Sequence, residues 1–236
     1  MRLSEFVTAL RNTGRKSDRA KGGLSDKAAQ YLREIRKASA ENDERPNPRP
    51  LNAEEWRKSI GRNTYNEITR RGGKPLKTGG FVRALERVSG WACERPKPWL
   101  VLTGTIGTGK STLAKAAALS IAEAAGCMGY VTMRATATNW MKPEEMENVA
   151  RAAILLIDDL GCEQADVRLY GNTVSPMAEI VCERYDNMLT TIFTTNELAS
   201  DLKEIYGDRI ADRMREMCTV IKMDGDSFRE GGGDGE

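Results

Sequence analysis

Past Pro98 the chain alternates short apolar runs with stretches whose apolar residues recur every three or four positions, patterns that belong to strands and helices respectively. Trp99–Thr103, Gly129–Met133, Ala153–Ile157, Leu189–Thr194 and Thr219–Met223 read as strands. Lys110–Ala125, Pro143–Arg151, Ser175–Asn187, Glu197–Tyr206 and Asp208–Met217 read as helices. Ser175–Asn187 is expected to turn Met177, Ile180, Val181 and Tyr185 inward. Strands that alternate with helices predict a parallel sheet covered by helices on both faces. Ala153–Ile157, apolar at every position, belongs near its centre.

Before Trp99 the pattern differs. Residues 3–12 and 24–38 have helical spacing, the second with Leu24, Ala28, Tyr31, Leu32 and Ile35 on one face behind a Ser25 cap, and the basic, polar stretch Gly14–Gly23 between them reads as a loop. Glu41–Pro50 holds three prolines and five charged residues, which suits a linker rather than a helix or central strand. Asn52 followed by Glu55 forms the start of a capped helix. Arg70–Gly80 is a basic, glycine-rich break, and Phe81–Val88 predicts a helix that leads into the main domain. The expected organisation is a basic, mainly helical region over 1–75, a main domain over 76–230 and a flexible tail over 231–236.

Composition narrows the class. With 236 residues, 40% hydrophobic and 30% charged, the chain can bury a sizeable core, and it has no apolar run long enough for a membrane span. The first residues lack the apolar stretch of a signal peptide. Five scattered cysteines, Cys93, Cys127, Cys162, Cys182 and Cys218, suggest neither a disulfide framework nor a zinc site, and the expected location is a reducing cytoplasm. The absence of histidine excludes histidine-based catalysis. Residues 1–90 hold 21 Lys and Arg against 11 Asp and Glu, whereas 91–236 hold 15 against 23, so the halves carry about +10 and −8. A basic arm of this kind suits nucleic acid or an acidic partner surface; a solvated helical face is the alternative.

The candidate chemistry lies at strand ends. Trp99–Thr103 runs into Gly104-Thr105-Ile106-Gly107-Thr108-Gly109-Lys110-Ser111-Thr112, which fits G-x-x-x-x-G-K-[ST] between a strand and a helix. Such a loop wraps a phosphate with bare N–H groups, with Lys110 for the β/γ-phosphates and Ser111 for Mg²⁺; the alternative is a glycine-rich turn before an ordinary helix. Ala153–Ile157 ends in Asp158-Asp159, the first suited to Mg²⁺ and the second to the water that attacks a γ-phosphate. Leu189–Thr194 delivers Asn196 to the same edge, either for that phosphate or water or as a helix cap. Arg209 and Arg213 share one helical face and suit a transferring phosphoryl group, possible surface pairs with Asp208, Asp212 and Glu216 being the alternative.

The ordered set of these motifs, with Phe193-Thr-Thr-Asn196, Tyr206-Gly-Asp-Arg-Ile-Ala-Asp-Arg-Met214 and Gly225-Asp-Ser-Phe-Arg229, resembles the AAA+ ATPases of the DnaC/IstB type over residues 81–229, and the DnaC-like helicase loaders most of all. The resemblance implies an α/β P-loop fold with a five-stranded parallel sheet, binding of ATP with Mg²⁺ and hydrolysis of the ATP. It also implies a homo-oligomer on single-stranded DNA that acts on a replicative helicase. By resemblance Arg213 is a finger acting on a neighbouring subunit with Arg209 in a supporting role, Asn196 a sensor, and Arg229 a phosphate-sensing arginine. Residues 1–75 show no cysteine-rich helicase-binding domain of the kind some DnaC proteins carry. Arg134, Trp140 and Lys142 stand where related ATPases meet DNA, although Trp140 also suits a core. Open alternatives are an IstB-like transposition helper, a small-molecule P-loop kinase, and a non-hydrolysing scaffold if the Asp159 side chain is too short.

Overall fold

The apolar runs become strands, and in the three central ones, over Trp99–Gly104, Ile154–Asp158 and Thr190–Thr195, neighbouring residues fill two different cores. The strands are β1 (Trp99–Gly104), β2 (Val131–Arg134), β3 (Ile154–Asp158), β4 (Val167–Leu169), β5 (Asn172–Val174), β6 (Thr190–Thr195) and β7 (Cys218–Met223). The helices are α1 (Ala53–Arg70), α2 (Gly79–Glu94), α3 (Lys110–Ala124), α4 (Pro143–Ala150), α5 (Pro176–Asp186) and α6 (Ala199–Met217). A computed structural model describes residues 51–73, 79–164, 167–169 and 172–224. The expected elements up to Pro50, the tail and Arg229 lie outside the described residues.

Five strands form one parallel sheet in the order β2-β3-β6-β1-β7. Leu100, Leu102, Ile154, Leu156, Ile192 and Ile221 point to the face covered by α1, α2 and α3, where Trp56, Ile60, Val88, Leu113 and Ile121 complete the packing. Their neighbours Trp99, Val101, Leu155, Ile157 and Phe193 point to the other face, against Met177, Ile180 and Val181 of α5 and Ile210 and Met214 of α6. This is the period of two that a sheet covered on both sides requires. Trp99 and Phe193 meet edge to face with ring centres 5.6 Å apart, and Trp99 Nε1–H donates to Leu189 O at 2.8 Å.

One local expectation is met in full, and several departures from the sequence reading have local causes. The helix of α1 starts on the expected capping box, with Asn52 Oδ1 accepting the Glu55 N–H at 2.9 Å and the Glu55 carboxylate accepting the Asn52 N–H at 3.0 Å. Although α1 precedes residue 76, it shares the core of the main sheet through Trp56 and Ile60. The two helices expected around Gly207 form one element, α6, interrupted where Gly207 takes φ 78° and ψ 172°. Pairing of β4 with β5 is antiparallel and separate from the main sheet; strands of three residues are too short to show an alternation in sequence. Met177, Ile180 and Val181 go inward as expected, but Tyr185 is only half-buried, and its neighbour Arg184 is fully buried beside them.

Arg184 closes the edge of the sheet opposite the strand ends named above. Its guanidinium donates to Thr191 Oγ1 at 2.8 Å, Thr190 O at 2.5 Å, Ala150 O at 2.9 Å and Ala152 O at 2.7 Å. Ala150 ends α4, so the arginine satisfies carbonyls that a helix C-terminus leaves without partners. Burial pushes its pKa down to about 9, which still leaves the side chain charged at neutral pH. Arg184→Ala should therefore cost about 3 kcal/mol or more, since several buried acceptors lose a charged donor together. Urea unfolding measures this, and a loss under about 1 kcal/mol would contradict the role assigned to the guanidinium.

Candidate functional site

The C-terminal ends of β1, β3 and β6 lie side by side, and the loops that leave them border a cleft of about 730 Å³. Gly107, Gly109, Lys110, Ser111 and Thr112 form one wall and Asp158, Asp159 and Asn196 another, with Arg134 and Cys162 beside them. Sequence position alone separates these groups by tens of residues; the parallel strand order brings them together.

The glycines of the first loop have different reasons. Gly104 sits opposite Met223 of β7 with φ 139°, and a Cβ there would lie 2.3 Å from Met223 O, so it is the neighbouring strand that excludes a side chain. Gly107 and Gly109 both take φ 88°, a conformation that favours glycine and turns the loop into α3. Thr108, buried, donates from Oγ1 to Thr105 O at 2.9 Å and braces the turn. The Lys110 ammonium lies inside the loop, donating to Gly104 O and Thr105 O at 2.7 Å each. A ring of backbone groups around a buried ammonium, at the N-terminus of a 15-residue helix, fits an anionic phosphate.

Asp158 ends β3, and its Oδ1 accepts a hydrogen bond from Thr194 Oγ1 at 2.6 Å. The same hydroxyl accepts the Asp159 N–H at 2.9 Å, so one buried threonine fixes both acids. Asp159 takes φ 60°. No group of three or more Cys, Asp or Glu suited to a metal occurs among the described residues. Ser111 and Asp158 border one cleft, and a hydroxyl and a carboxylate are the kind of oxygen donors that Mg²⁺ takes together with phosphate oxygens and water.

Asn196 is exposed to the cleft and does not cap a helix at Glu197, because α6 begins at Ala199. Arg209 and Arg213 do not border the cleft. Arg213 instead stacks on the Tyr185 ring, 4.6 Å from its centre, with Asp186 Oδ1 at 3.6 Å; Arg215 is the residue that pairs with Asp212. Arg213 Nη1 is buried with no hydrogen-bond partner among the described residues. Trp140 is 76% exposed, which removes the core alternative.

Some neighbours of the cleft escaped the sequence reading. Ile68, Arg71 and Gly73 at the end of α1 form a third wall, which the expected helix from Phe81 joins at its first residue. Glu67 gathers Arg70, Arg71 and Lys115 around its carboxylate. Burial works to raise its pKa, but the two arginines outweigh that and hold it below the ordinary range. The basic break at Arg70-Arg71 was visible in sequence; its pairing with Glu67, which Lys115 shares, was not. Tyr206 and Glu163 were likewise missed. The Tyr206 hydroxyl donates to Glu163 and accepts the Gly161 N–H at 3.1 Å; burial and then Glu163 push the phenol pKa well up, so it stays protonated.

The strand order, the phosphate loop and the acidic strand end define an AAA+ fold of the P-loop nucleotide-binding class. Residues 79–232 match the model of the IstB-like ATP-binding proteins, and the chain belongs to that family. No curated protein matches it in sequence. Among solved structures, a proposed primosome component from Streptococcus pyogenes serotype M3 is similar at 22% identity and TM-score 0.50, over 72% of this chain and 90% of that one. DnaI is similar at 21% identity and TM-score 0.48, over 66% and 88%. AMPPCP-bound DnaA from Aquifex aeolicus is similar at 19% identity and TM-score 0.45, over 66% and 50%. At these identities the likeness is one of fold. Among the described residues no helix is long and apolar enough to cross a membrane.

Thr194→Val is isosteric and leaves the Asp158 carboxylate and the Asp159 N–H without their shared partner. We expect a loss of about 1–3 kcal/mol in urea unfolding. Unchanged stability would mean that the two acids are held by something other than this hydroxyl.

Proposed function

We propose that the protein is an ATP-hydrolysing replication ATPase, a helicase loader of the DnaC kind that assembles as a homo-oligomer on single-stranded DNA and remodels a replicative helicase. The observation that carries the reading is a division of parts. Lys110, Ser111, Asp158, Asp159 and Asn196 border one cleft, whereas Arg209 and Arg213 stand outside it. In this reading Gly104, Thr105, Gly107, Thr108, Gly109 and Thr112 shape the phosphate cradle and Lys110 neutralises the β/γ-phosphates. Ser111 and Asp158 hold Mg²⁺, which when bound spreads the charge developing on the phosphates. Asp159 orients the attacking water or takes its proton, and Asn196 hydrogen-bonds the water or the γ-phosphate. Arg213, supported by Arg209, completes the site of the neighbouring subunit, and Arg229 senses phosphate from the same chain. Single-stranded DNA is read by the exposed Trp140 through stacking, with Arg134 and Lys142 for the backbone.

A second reading, a transposition helper with a transposase partner, draws on the family itself, which is described as IstB-like. Binding of the full chain to a purified ring helicase or a purified transposase, with ATP present, separates the two. Since α1 shares the core, the basic arm is best tested by removing residues 1–50. Loss of helicase binding on that truncation would assign the arm to the partner.

If an arginine is supplied between subunits, the ATPase rate per subunit rises steeply with protein concentration and with single-stranded DNA. A rate independent of concentration from monomer would overturn the reading. Asp159→Ala and Arg213→Ala should each retain ATP binding and lose about 100-fold or more in turnover. Trp140→Ala should weaken single-stranded DNA binding by about 1–3 kcal/mol with the ATP affinity unchanged, read by fluorescence anisotropy.

A further inference from the structure

Asp159 holds a left-handed backbone conformation, φ 60°, in which the Cβ of a non-glycine residue crowds the carbonyl oxygen that follows it. Such a residue stays in place only where its surroundings fix it. Two ties run from the following residue to β6: Leu160 donates its N–H to Thr194 O at 2.8 Å, and Thr195 Oγ1 donates to Leu160 O at 2.7 Å. A third tie comes from α6. Gly161 donates its N–H to the Tyr206 hydroxyl at 3.1 Å and to Glu163 Oε2 at 3.0 Å, and the Tyr206 hydroxyl donates to Glu163 Oε1. The approach is close, since a Cβ on Gly161 would lie 3.4 Å from Leu202 Cδ2 of α6 and 2.8 Å from Cγ of Glu197 just before it.

Tyr206 is also the last residue before the Gly207 interruption of α6. A Cβ on Gly207 would meet nothing within 4 Å, so its φ of 78° is the reason for glycine, not a lack of room. Beyond it, the second half of α6 carries Arg209 and Arg213, the latter resting on Tyr185. One half of the helix is thus tied to the acidic loop, and the other half presents the arginines.

We propose that Tyr206 is a positioning residue that sets the loop carrying Asp159 and, through the Gly207 break, ties that loop to the half-helix that offers Arg209 and Arg213 to the next subunit. This rests on the hydrolysis reading given above. Tyr206 does not border the cleft; a displacement of the loop during phosphate cleavage moves Gly161, then Tyr206, then the arginines. State in one site is passed to the next by a hydrogen bond and a helix break.

Tyr206→Phe keeps the ring and removes only the hydroxyl. Expected are an ATP dissociation constant within about 2-fold of wild type and a kcat lower by about 10- to 100-fold, as for a misplaced reacting group. An unchanged kcat, or affinity and turnover lost together, overturns the positioning role. The coupling is read by mixing subunits. Arg213→Ala subunits keep their own site but offer no arginine, and Asp159→Ala subunits bind ATP and offer Arg213 without hydrolysing. Their mixture should regain turnover, and adding Tyr206→Phe to the Asp159→Ala subunits should cut that regained turnover severalfold. Undiminished recovery overturns the coupling. No recovery in the first mixture overturns the intersubunit reading and the coupling with it, while the kcat of Tyr206→Phe alone still decides whether the hydroxyl sets the loop.

Discussion

The hydroxyl of Thr194 donates to Asp158 and accepts from the backbone of Asp159, and this pair of bonds requires β3 and β6 to lie next to each other in one register. A buried hydroxyl with one donor hydrogen and a lone pair in use leaves little freedom for either acid. β6 pairs with β1 on its other side, which sets the glycine loop at the same edge. The cleft is thus a consequence of strand order: β6 alone stands between β3 and β1, so the acids, Asn196 and the phosphate loop leave three adjacent parallel strands at one edge and face one ligand.

β6 reads Thr-Thr-Ile-Phe-Thr-Thr, and each part has a separate task. Ile192 and Phe193 fill the two cores on opposite faces. At the strand's start Thr190 and Thr191 receive the guanidinium of Arg184, and at its end Thr194 and Thr195 hold the acidic loop. β-branched threonine suits a strand and brings a hydroxyl into places where a buried backbone group would otherwise be unpaired. One central strand therefore organises both polar edges of the sheet.

The cleft and the arginines belong to different parts of the domain. Gly107 to Thr112, Asp158, Asp159 and Asn196 share the cleft, with the end of α1 as a third wall; Arg213 is held on α5 by an aromatic face and a weakly placed carboxylate. A cation stacked on tyrosine with one buried N–H unsatisfied is ordered but not fully satisfied. The family membership supplies ATP as the nucleotide, and the separation of the two regions is what an intersubunit site would need.

Local patterns in the sequence were enough for the strands of the five-stranded parallel sheet, the capping box at Asn52, and the cleft residues Lys110, Ser111, Asp158, Asp159 and Asn196. These are signals of spacing: a period of two or of 3.6, a glycine motif, acids at the end of an apolar run. What only the tertiary structure decided are partnerships between positions far apart in the chain: Thr194 with Asp158, 36 residues apart, Tyr206 with Gly161, 45 apart, and Arg184 with the end of α4, 34 apart. Threonine, tyrosine and arginine in a strand or helix carry no local mark that separates a surface residue from one that pairs a buried backbone group. Packing selects between them, because only burial makes the unpaired alternative costly.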